Sequence, residues 1–211
     1  MGRGILITIE GIDGAGKSTL AAGLRQAIEA RGVGVRLLRE PGGVELSERI
    51  RALLADPSAR MAAVTEALLY AAARAELVAE RLLPLLDAGE LVLLDRYVDS
   101  SLAYQGAGRG LGIERIRALN DLATGGLTPD RTLLLALARA TARERLRTDG
   151  RARDRLEAEQ DAFFQRVANA YERLAEAEPA RFRTIDATLA ADDVLELALA
   201  AIADLLAPSS G

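Results

Sequence analysis

Apolar residues along the chain form short runs that alternate with longer segments of helical periodicity. The short runs cover residues 4–10, 33–38, 91–95, 131–137 and 182–185, and they are typical of strands buried on both faces. Helical periodicity covers residues 20–31, 46–54, 62–86, 100–104, 113–124, 156–177 and 190–206. This alternation predicts an α/β fold in three layers, with a five-stranded parallel sheet and helices on both faces.

Polar loops lie at or beside the ends of the predicted strands. They contain Gly11, Arg39, Asp95 and the pair Pro129–Asp130. Ligands of parallel sheets bind beyond the carboxyl ends of the strands. We therefore expect most of these loops to converge on one edge of the sheet and to form the functional site there.

The first loop has the pattern Gly, four residues, Gly-Lys-Ser, and it lies between a predicted strand and a predicted helix. It consists of Gly11, Ile12, Asp13, Gly14, Ala15, Gly16, Lys17, Ser18 and Thr19. In this context the motif predicts a P-loop, in which backbone N–H groups and the helix N-terminus bind phosphate. Lys17 then reaches the β- and γ-phosphates, and the Ser18 hydroxyl binds Mg²⁺. A glycine turn that binds no ligand is the disfavoured alternative, because the motif is long and lies in its required context.

Lys17 is also unusual in the composition, because 26 of the 27 basic residues are arginine and Lys17 is the only lysine. The P-loop position requires a compact charge on a flexible stem, which a planar guanidinium does not supply.

Composition excludes several classes of protein. The chain has 211 residues, half of them hydrophobic, and neither cysteine nor histidine. Disulfides, thiolate zinc sites and histidine catalysis are therefore excluded, and a metal must bind to oxygen, as Mg²⁺ does. The net charge of −4 argues against nucleic-acid binding. No stretch has the length of a membrane span or the pattern of a signal peptide, so we expect a cytoplasmic protein without a membrane partner.

Asp95 ends the third apolar run and is followed directly by Arg96. A carboxylate at this position is typical of the Walker B motif, which holds Mg²⁺ directly or through water; a lone surface aspartate is the alternative. A GTPase is disfavoured, because its guanine-recognition motif requires a further lysine. A kinase that acts on a small molecule is the simplest interpretation.

Five segments together resemble the bacterial thymidylate kinase family. They are GIDGAGKST (11–19), REPGG (39–43), LLYAAAR (68–74), DRYVDSSLAYQG (95–106) and LNDLATGGLTPD (119–130), with RDRLE (153–157) as a weaker sixth. The resemblance implies a P-loop kinase fold over residues 1–207, with a short arginine-rich lid at about 140–156 and a disordered tail at 208–211. It implies transfer of phosphate from ATP to dTMP with Mg²⁺, in dTTP synthesis, by a homodimer.

The resemblance also implies roles at the nucleoside. Asp13 would accept a hydrogen bond from the sugar 3′-OH. Tyr70 and Arg74 are four residues apart and share a helix face, so that Tyr70 could stack on the pyrimidine while Arg74 donates to its O4. Without the other motifs, a core tyrosine beside a solvated arginine would be the better interpretation.

Further roles at the monophosphate follow from the same resemblance. Arg96 would hold the dTMP phosphate with help from Arg39 in the opposite loop, and Pro41 would shape the loop that contains Arg39. Ser101 would reach the base edge, Tyr104 the deoxyribose, and Gln105 the base or phosphate region. Two positions depart from the family: Val44 stands where threonine is common, and the run at 133–137 lacks the usual aspartate.

Gly14 stands where some relatives have an arginine, so a catalytic arginine is expected in the lid, as in the lid-arginine class of bacterial enzymes. The candidates are Arg147, Arg151 and Arg153, and a solvated charged helix is the alternative for each. The resemblance also implies that residues 186–188 lie in the adenine-binding loop.

Three other functions remain open. The chain could phosphorylate another nucleoside monophosphate such as dUMP or CMP. It could be a P-loop ATPase that acts as a protein-binding switch, or an inactive nucleotide-binding module. The retained Lys17, Ser18 and Asp95 argue against the inactive module.

Overall fold

The structure, a computed structural model, describes residues 3–148, 155–156 and 159–206. Five parallel strands form one sheet in the order β2-β3-β1-β4-β5. The strands are β1 (Ile5–Glu10), β2 (Val35–Arg39), β3 (Leu91–Asp95), β4 (Arg131–Ala136) and β5 (Phe182–Asp186). The predicted five-stranded parallel sheet is therefore confirmed.

Ten α-helical segments are described around this sheet. They are α1 (Lys17–Glu29), α2 (Glu45–Ala55), α3 (Ala63–Leu77), α4 (Leu83–Asp87), α5 (Val98–Ser101), α6 (Ile113–Thr124), α7 (Arg139–Thr148), α8 (Asp161–Ala177), α9 (Ala191–Ala201) and α10 (Ala203–Leu206). Two π-helical segments, Val78–Leu82 and Leu102–Gly108, follow α3 and α5.

Successive side chains of a strand point to opposite sides of the sheet, and here both sides are buried. Ile7 and Ile9 belong to the same buried cluster as Leu24 of α1. Leu6 lies in a second cluster with Leu77 of α3. This arrangement explains why the strands are apolar runs rather than alternating patterns.

Several predicted helices differ from the structure. The helix predicted over 62–86 is divided by a π-helical turn beside Pro84, which has no backbone N–H to continue the regular ladder. The segment at 100–104 instead begins at Val98 and continues as π-helix to Gly108. The helix predicted from 156 begins at Asp161. That predicted over 190–206 is divided into α9 and α10.

The arginine-rich stretch forms a helix, α7, that the apolar pattern did not predict. Lid residues 149–154, residues 157–158 after the lid, and the predicted tail at 208–211 lie outside the described residues. Within the described ranges, no helix is long and apolar enough to cross a membrane.

Pro129–Asp130 is a loop that does not join the functional edge. Asp130 precedes β4, so it lies at the amino end of that strand. Its carboxylate accepts a hydrogen bond from the Leu6 backbone N–H at 2.7 Å and pairs with Arg3. Asp130 therefore stabilises the edge opposite the P-loop.

Candidate active site

A cavity of about 470 Å³ opens at the carboxyl edge of the sheet. Its lining includes most of the residues selected from the sequence: Asp13, Gly14, Gly16, Lys17, Ser18, Thr19, Arg39, Pro41, Tyr70, Arg74, Asp95, Arg96, Ser101, Tyr104 and Gln105. Gly11, Ile12 and Ala15 are buried and are not part of the lining. Segments far apart in the chain thus meet around one space, as expected for a parallel sheet.

The P-loop holds Lys17 at the start of α1, where helix N–H groups are free to bind an anion. Lys17 Nζ donates to the Ile12 carbonyl at 3.0 Å and lies 4.0 Å from Asp13 Oδ1. Burial and the nearby Arg96 cation lower the pKa of Lys17 to about 8, although Asp13 opposes this shift. A negatively charged phosphate beside this ammonium group would stabilise its protonated form.

Ser18 and Asp95 form a pair of oxygen groups beside Lys17. Ser18 Oγ donates to Asp95 Oδ2 at 2.9 Å, while Asp95 Oδ1 is buried without a hydrogen-bond partner among the described residues. Oxygen ligands suit Mg²⁺, and a buried carboxylate oxygen without a partner fits a cation. No cluster of three or more acidic groups able to hold a metal occurs in the part of the chain that the structure describes. A bound ion would therefore require phosphate or water oxygens as additional ligands.

Asp13 and Arg96 form an ion pair across the floor of the cavity. Arg96 donates from Nη2 to Asp13 Oδ1 at 2.6 Å, and the Tyr104 hydroxyl donates to Asp13 Oδ2 at 3.2 Å. Burial alone would raise the pKa of Asp13, but the Arg96 and Lys17 cations hold it well below its usual value. The Asp13 carboxylate is therefore charged and already supplied with donors.

The backbone of Arg96 has φ of 69°, a left-handed conformation that non-glycine residues rarely adopt. Arg96 N–H donates to the Ile9 carbonyl at 3.0 Å, and the next N–H, of Tyr97, donates to Glu10 at 2.8 Å. Arg96 Nη1 donates to Ser100 Oγ at 3.0 Å, which itself donates to Glu10 at 2.6 Å. These contacts compensate the strain and fix the guanidinium at the cavity.

Arg74 is 2% exposed and its guanidinium is fully engaged with protein acceptors. Nε donates to Glu40 at 2.7 Å, Nη1 to Ser101 Oγ at 2.9 Å, and Nη2 to the Tyr97 carbonyl at 2.9 Å. Two more contacts join Nη1 to Asn120 and Nη2 to Glu40. The predicted contact with a base would thus replace or share one of these bonds.

The other residues predicted to bind substrate occupy the same region. Tyr70 lies partly buried on α3, one turn before Arg74. Arg39 lines the cavity, and its Nη2 donates to Glu48 at 2.7 Å. The Pro41 carbonyl accepts from Arg51 Nη1 at 3.0 Å. Gln105 Nε2 donates to Glu66 at 2.9 Å.

Among the candidate lid arginines, only Arg147 belongs to the described residues. Arg147 is 72% exposed, pairs with Glu144 at 2.9 Å and is not part of the cavity lining. Arg151 and Arg153 lie outside the described residues. Arg145 lines the cavity instead, and its Nη2 donates to the Ala187 carbonyl at 2.8 Å.

Close packing around Gly14 explains why the P-loop has no arginine at this position. A Cβ at residue 14 would lie 2.5 Å from the Ala142 carbonyl of α7. The loop and α7 are therefore packed too closely for any side chain here.

Several residues around the cavity were not found from the sequence: Glu10, Arg51, Glu66, Asn120 and Arg145. The sequence contains a signal for Arg145. Ala142 and Leu146 are apolar and four residues apart, so they share one face of a helix, and Arg145 lies next to that face. The partners of Glu10 and Glu66, and the Arg74 partner of Asn120, are distant in the chain, and no spacing identifies them.

Comparison with known proteins identifies relatives of the whole chain. The thymidylate kinase family model matches residues 9–197. A thymidylate kinase of Halorhodospira halophila is 47% identical over 97% of this chain and 96% of its own length. One of Deinococcus radiodurans is 47% identical over 92% and 94%. A crystal structure of thymidylate kinase from Ehrlichia chaffeensis matches with a TM-score of 0.75 and 30% identity, over 94% of this chain and 98% of that one.

Proposed function

The chain belongs to the thymidylate kinase family, and we propose that it transfers the γ-phosphoryl group of ATP to dTMP with the help of Mg²⁺. The observation that carries this proposal is the shared cavity. Lys17, Ser18 and Asp95 line it together with Arg96 and Tyr70. Lys17, Ser18 and Asp95 suit a triphosphate with its metal ion. Arg96 and Tyr70 suit a nucleoside monophosphate.

ATP is proposed to bind along the P-loop, with its β- and γ-phosphates on the backbone N–H groups and Lys17. Arg145 is proposed to contact ATP as well. It lines the cavity and is held by the carbonyl of Ala187, and we propose that residues 186–188 form the adenine-binding loop.

Mg²⁺ would be held by Asp95, directly or through water, and by the Ser18 hydroxyl. The support is the 2.9 Å contact between them and the buried Asp95 oxygen that has no partner in the described ranges. The ion would neutralise charge on the phosphates.

The dTMP base is proposed to lie over Tyr70, with Arg74, Ser101 and Gln105 around its polar edge. All four line the cavity. Aromatic stacking and a few placed hydrogen bonds are the usual means of recognising a planar base. Asp13 and Tyr104, which are joined at 3.2 Å, are proposed to contact the sugar.

Arg96 is proposed to bind the dTMP phosphate, supported by Arg39 and the loop around Pro41. An oxygen of the dTMP phosphate attacks the γ-phosphorus, the bond from the γ-phosphorus to its bridging oxygen breaks, and ADP leaves with the electron pair. The attacking group is already an anion, so no general base is required. This agrees with the absence of histidine from the chain.

Charge that develops on the transferred group requires a cation beyond Lys17. Arg96 can supply one, and a lid arginine is proposed to supply another. Arg147, Arg151 and Arg153 remain the candidates, and Arg145 is added because it lines the cavity.

We further propose a cytoplasmic homodimer, as is typical of the family. Adjacent helices α2, α3 and α6 carry large exposed apolar side chains, among them Leu53, Leu68 and Leu122. Scattered exposed leucines are common, but this group lies on helices that pack together. The molar mass from light scattering on a sizing column tests the proposal, and a monomer at micromolar concentration would contradict it.

The activity is tested by ADP release in a coupled assay with ATP, Mg²⁺ and one acceptor at a time. dTMP should give the highest kcat/KM, above dUMP, CMP, AMP and GMP. The Lys17→Met variant should lose at least about two orders of magnitude in kcat with an unchanged unfolding midpoint. If dTMP is no better than the other acceptors, or turnover depends on a protein instead, the proposal is wrong.

A further inference from the structure

The carboxylate of Glu66, on α3, is buried beside the cavity and accepts hydrogen bonds from three side chains. It is 1% exposed. Oε1 accepts from Gln105 Nε2 at 2.9 Å and from Arg109 Nε at 3.1 Å. Oε2 accepts from Arg109 Nη2 at 2.9 Å and lies 2.7 Å from Arg155 Nη1. Glu66 is therefore surrounded by three donor side chains from two separate parts of the chain, the segment at 105–109 and Arg155.

These donors determine the charge of Glu66. Burial raises the pKa of its carboxyl group, but the hydrogen bonds from Arg109 and Gln105 outweigh burial and lower the pKa below its ordinary value. Glu66 is therefore ionised at neutral pH, and an ionised carboxylate can only accept hydrogen bonds.

An acceptor that cannot donate fixes the orientation of the Gln105 amide. The NH₂ group must face Glu66, because a turned amide would bring its carbonyl oxygen against the carboxylate oxygen. Gln105 lines the cavity and is otherwise buried. The amide oxygen is then the atom of Gln105 that is available to a ligand as an acceptor.

We propose that Glu66 is a positioning residue that sets base selectivity, because it holds Gln105 with a hydrogen-bond acceptor directed to the base pocket. The inference rests on the proposed function. A thymine ring carries an N–H at N3 and donates to this acceptor. A cytosine ring carries an unprotonated N3, which would meet the Gln105 oxygen as acceptor against acceptor. A pocket that offers a hydrogen-bond acceptor to an N–H at N3 strongly rejects a base without that N–H, because the buried acceptor of the pocket is left unpaired.

The main test compares kcat/KM for dTMP and dCMP in the unmodified protein and in Glu66→Gln. A glutamine at 66 can donate or accept, so the Gln105 amide can adopt either orientation. The ratio of kcat/KM for dTMP to kcat/KM for dCMP should fall by at least about tenfold. The change should appear as a higher KM for dTMP and a lower KM for dCMP, while the KM for ATP stays constant.

Glu159→Gln is the matched control. Glu159 also pairs with Arg109, at 2.5 Å, but none of its described contacts is to Gln105. The ratio should stay within about twofold of the unmodified protein, because surface ion pairs contribute little. An equal loss of selectivity in Glu159→Gln would assign the effect to the Arg109 cluster and overturn the proposal.

A double-mutant cycle tests whether Glu66 acts through Gln105. In a Gln105→Met background, Glu66→Gln should change the ratio no further, whereas an undiminished effect there overturns the proposal. If Glu66→Gln does not fold, Glu66→Asp replaces it, because the shorter side chain retains the charge but withdraws from Gln105. A folded variant with the original ratio also overturns the proposal.

The same assays separate this inference from the proposed function. If the unmodified protein does not prefer dTMP to dCMP, the proposed function fails. If it does, and the Glu66 variants keep that preference, the role of Glu66 alone fails.

Discussion

The guanidinium of Arg96 donates to the carboxylate of Asp13 at 2.6 Å and thereby joins the loop after β3 to the P-loop. Both side chains line the cavity, and Tyr104 contacts both. Contacts with Asp13, Gly11 and Ser100 hold the Arg96 guanidinium at the site. Such preorganisation lowers the cost of orienting charges when a phosphoryl group is transferred.

Arg96→Lys should lower kcat by about two orders of magnitude or more, although the charge is kept. Lysine lacks the planar fork that contacts Gly11, Ser100 and Asp13 together. Steady-state kinetics with ATP and dTMP check this. Arg36→Lys is the control, because Arg36 makes a forked pair with Glu90 on the surface. If both variants behave alike, the geometry of Arg96 is unimportant.

Arg74→Ala should raise the KM for dTMP far more than the KM for ATP, because Arg74 lies in the proposed base pocket. It should also destabilise the protein by about 3–5 kcal/mol, since it leaves the buried Glu40 without its cation. Burial already raises the pKa of Glu40, against the opposing charge of Arg74.

The double variant Arg74→Met with Glu40→Gln separates these two effects. It removes the unpaired charge, so part of the stability should return while the KM for dTMP stays high. Urea unfolding and steady-state kinetics measure both quantities. Equal changes in the two KM values would contradict base recognition by Arg74.

The strands and the P-loop could be predicted from the sequence because their signals are local. The run at 91–95 coincides with β3, and the Gly-Lys-Ser motif lies in its required context. The order of the strands has no local signal. The partners of Arg74 also have none, since Glu40 and Asn120 are 34 and 46 residues away along the chain.

Helix α7 could not be predicted from apolar periodicity. Its ten residues include five that are charged, and Ala142 is its one buried residue. Arg145 and Arg147 are two residues apart on a helix, so they point in nearly opposite directions. Which arginine faces the cavity depends on packing against Gly14, and the sequence alone does not give that contact.

Gly14→Ala should destabilise the protein and lower its activity, because the new Cβ would lie 2.5 Å from the Ala142 carbonyl. Gly32→Ala is the matched control. The two glycines have similar φ values of 84° and 80°, but nothing lies within 4 Å of a Cβ at Gly32.

Both alanine variants carry the strain of a positive φ, about 1 kcal/mol. Gly14→Ala should cost about 1–3 kcal/mol more, as overpacked sites do. Chemical denaturation of the two variants measures the difference. Equal costs would show that α7 moves away from the loop freely.

Glu10→Gln should remove part of the pH dependence of stability between about pH 4.5 and 7. Burial, with a smaller contribution from Asp99, raises the pKa of Glu10 to about 7. The folded protein therefore binds this proton more tightly than the unfolded chain does. The stabilisation is complete below the unfolded pKa and is lost as the pH rises through 7.

A shift from 4.5 to about 7 corresponds to at most about 3 kcal/mol in the free energy of unfolding. A neutral glutamine cannot lose this proton, so the unmodified protein should lose stability relative to Glu10→Gln as the pH rises from 5 to 7.5. Urea unfolding of both proteins at these two pH values measures that difference. Glu10 accepts a hydrogen bond from Ser100, which in turn contacts Arg96. If the difference in stability is the same at both pH values, the Glu10 carboxyl group that supports Arg96 through Ser100 does not titrate near neutral pH.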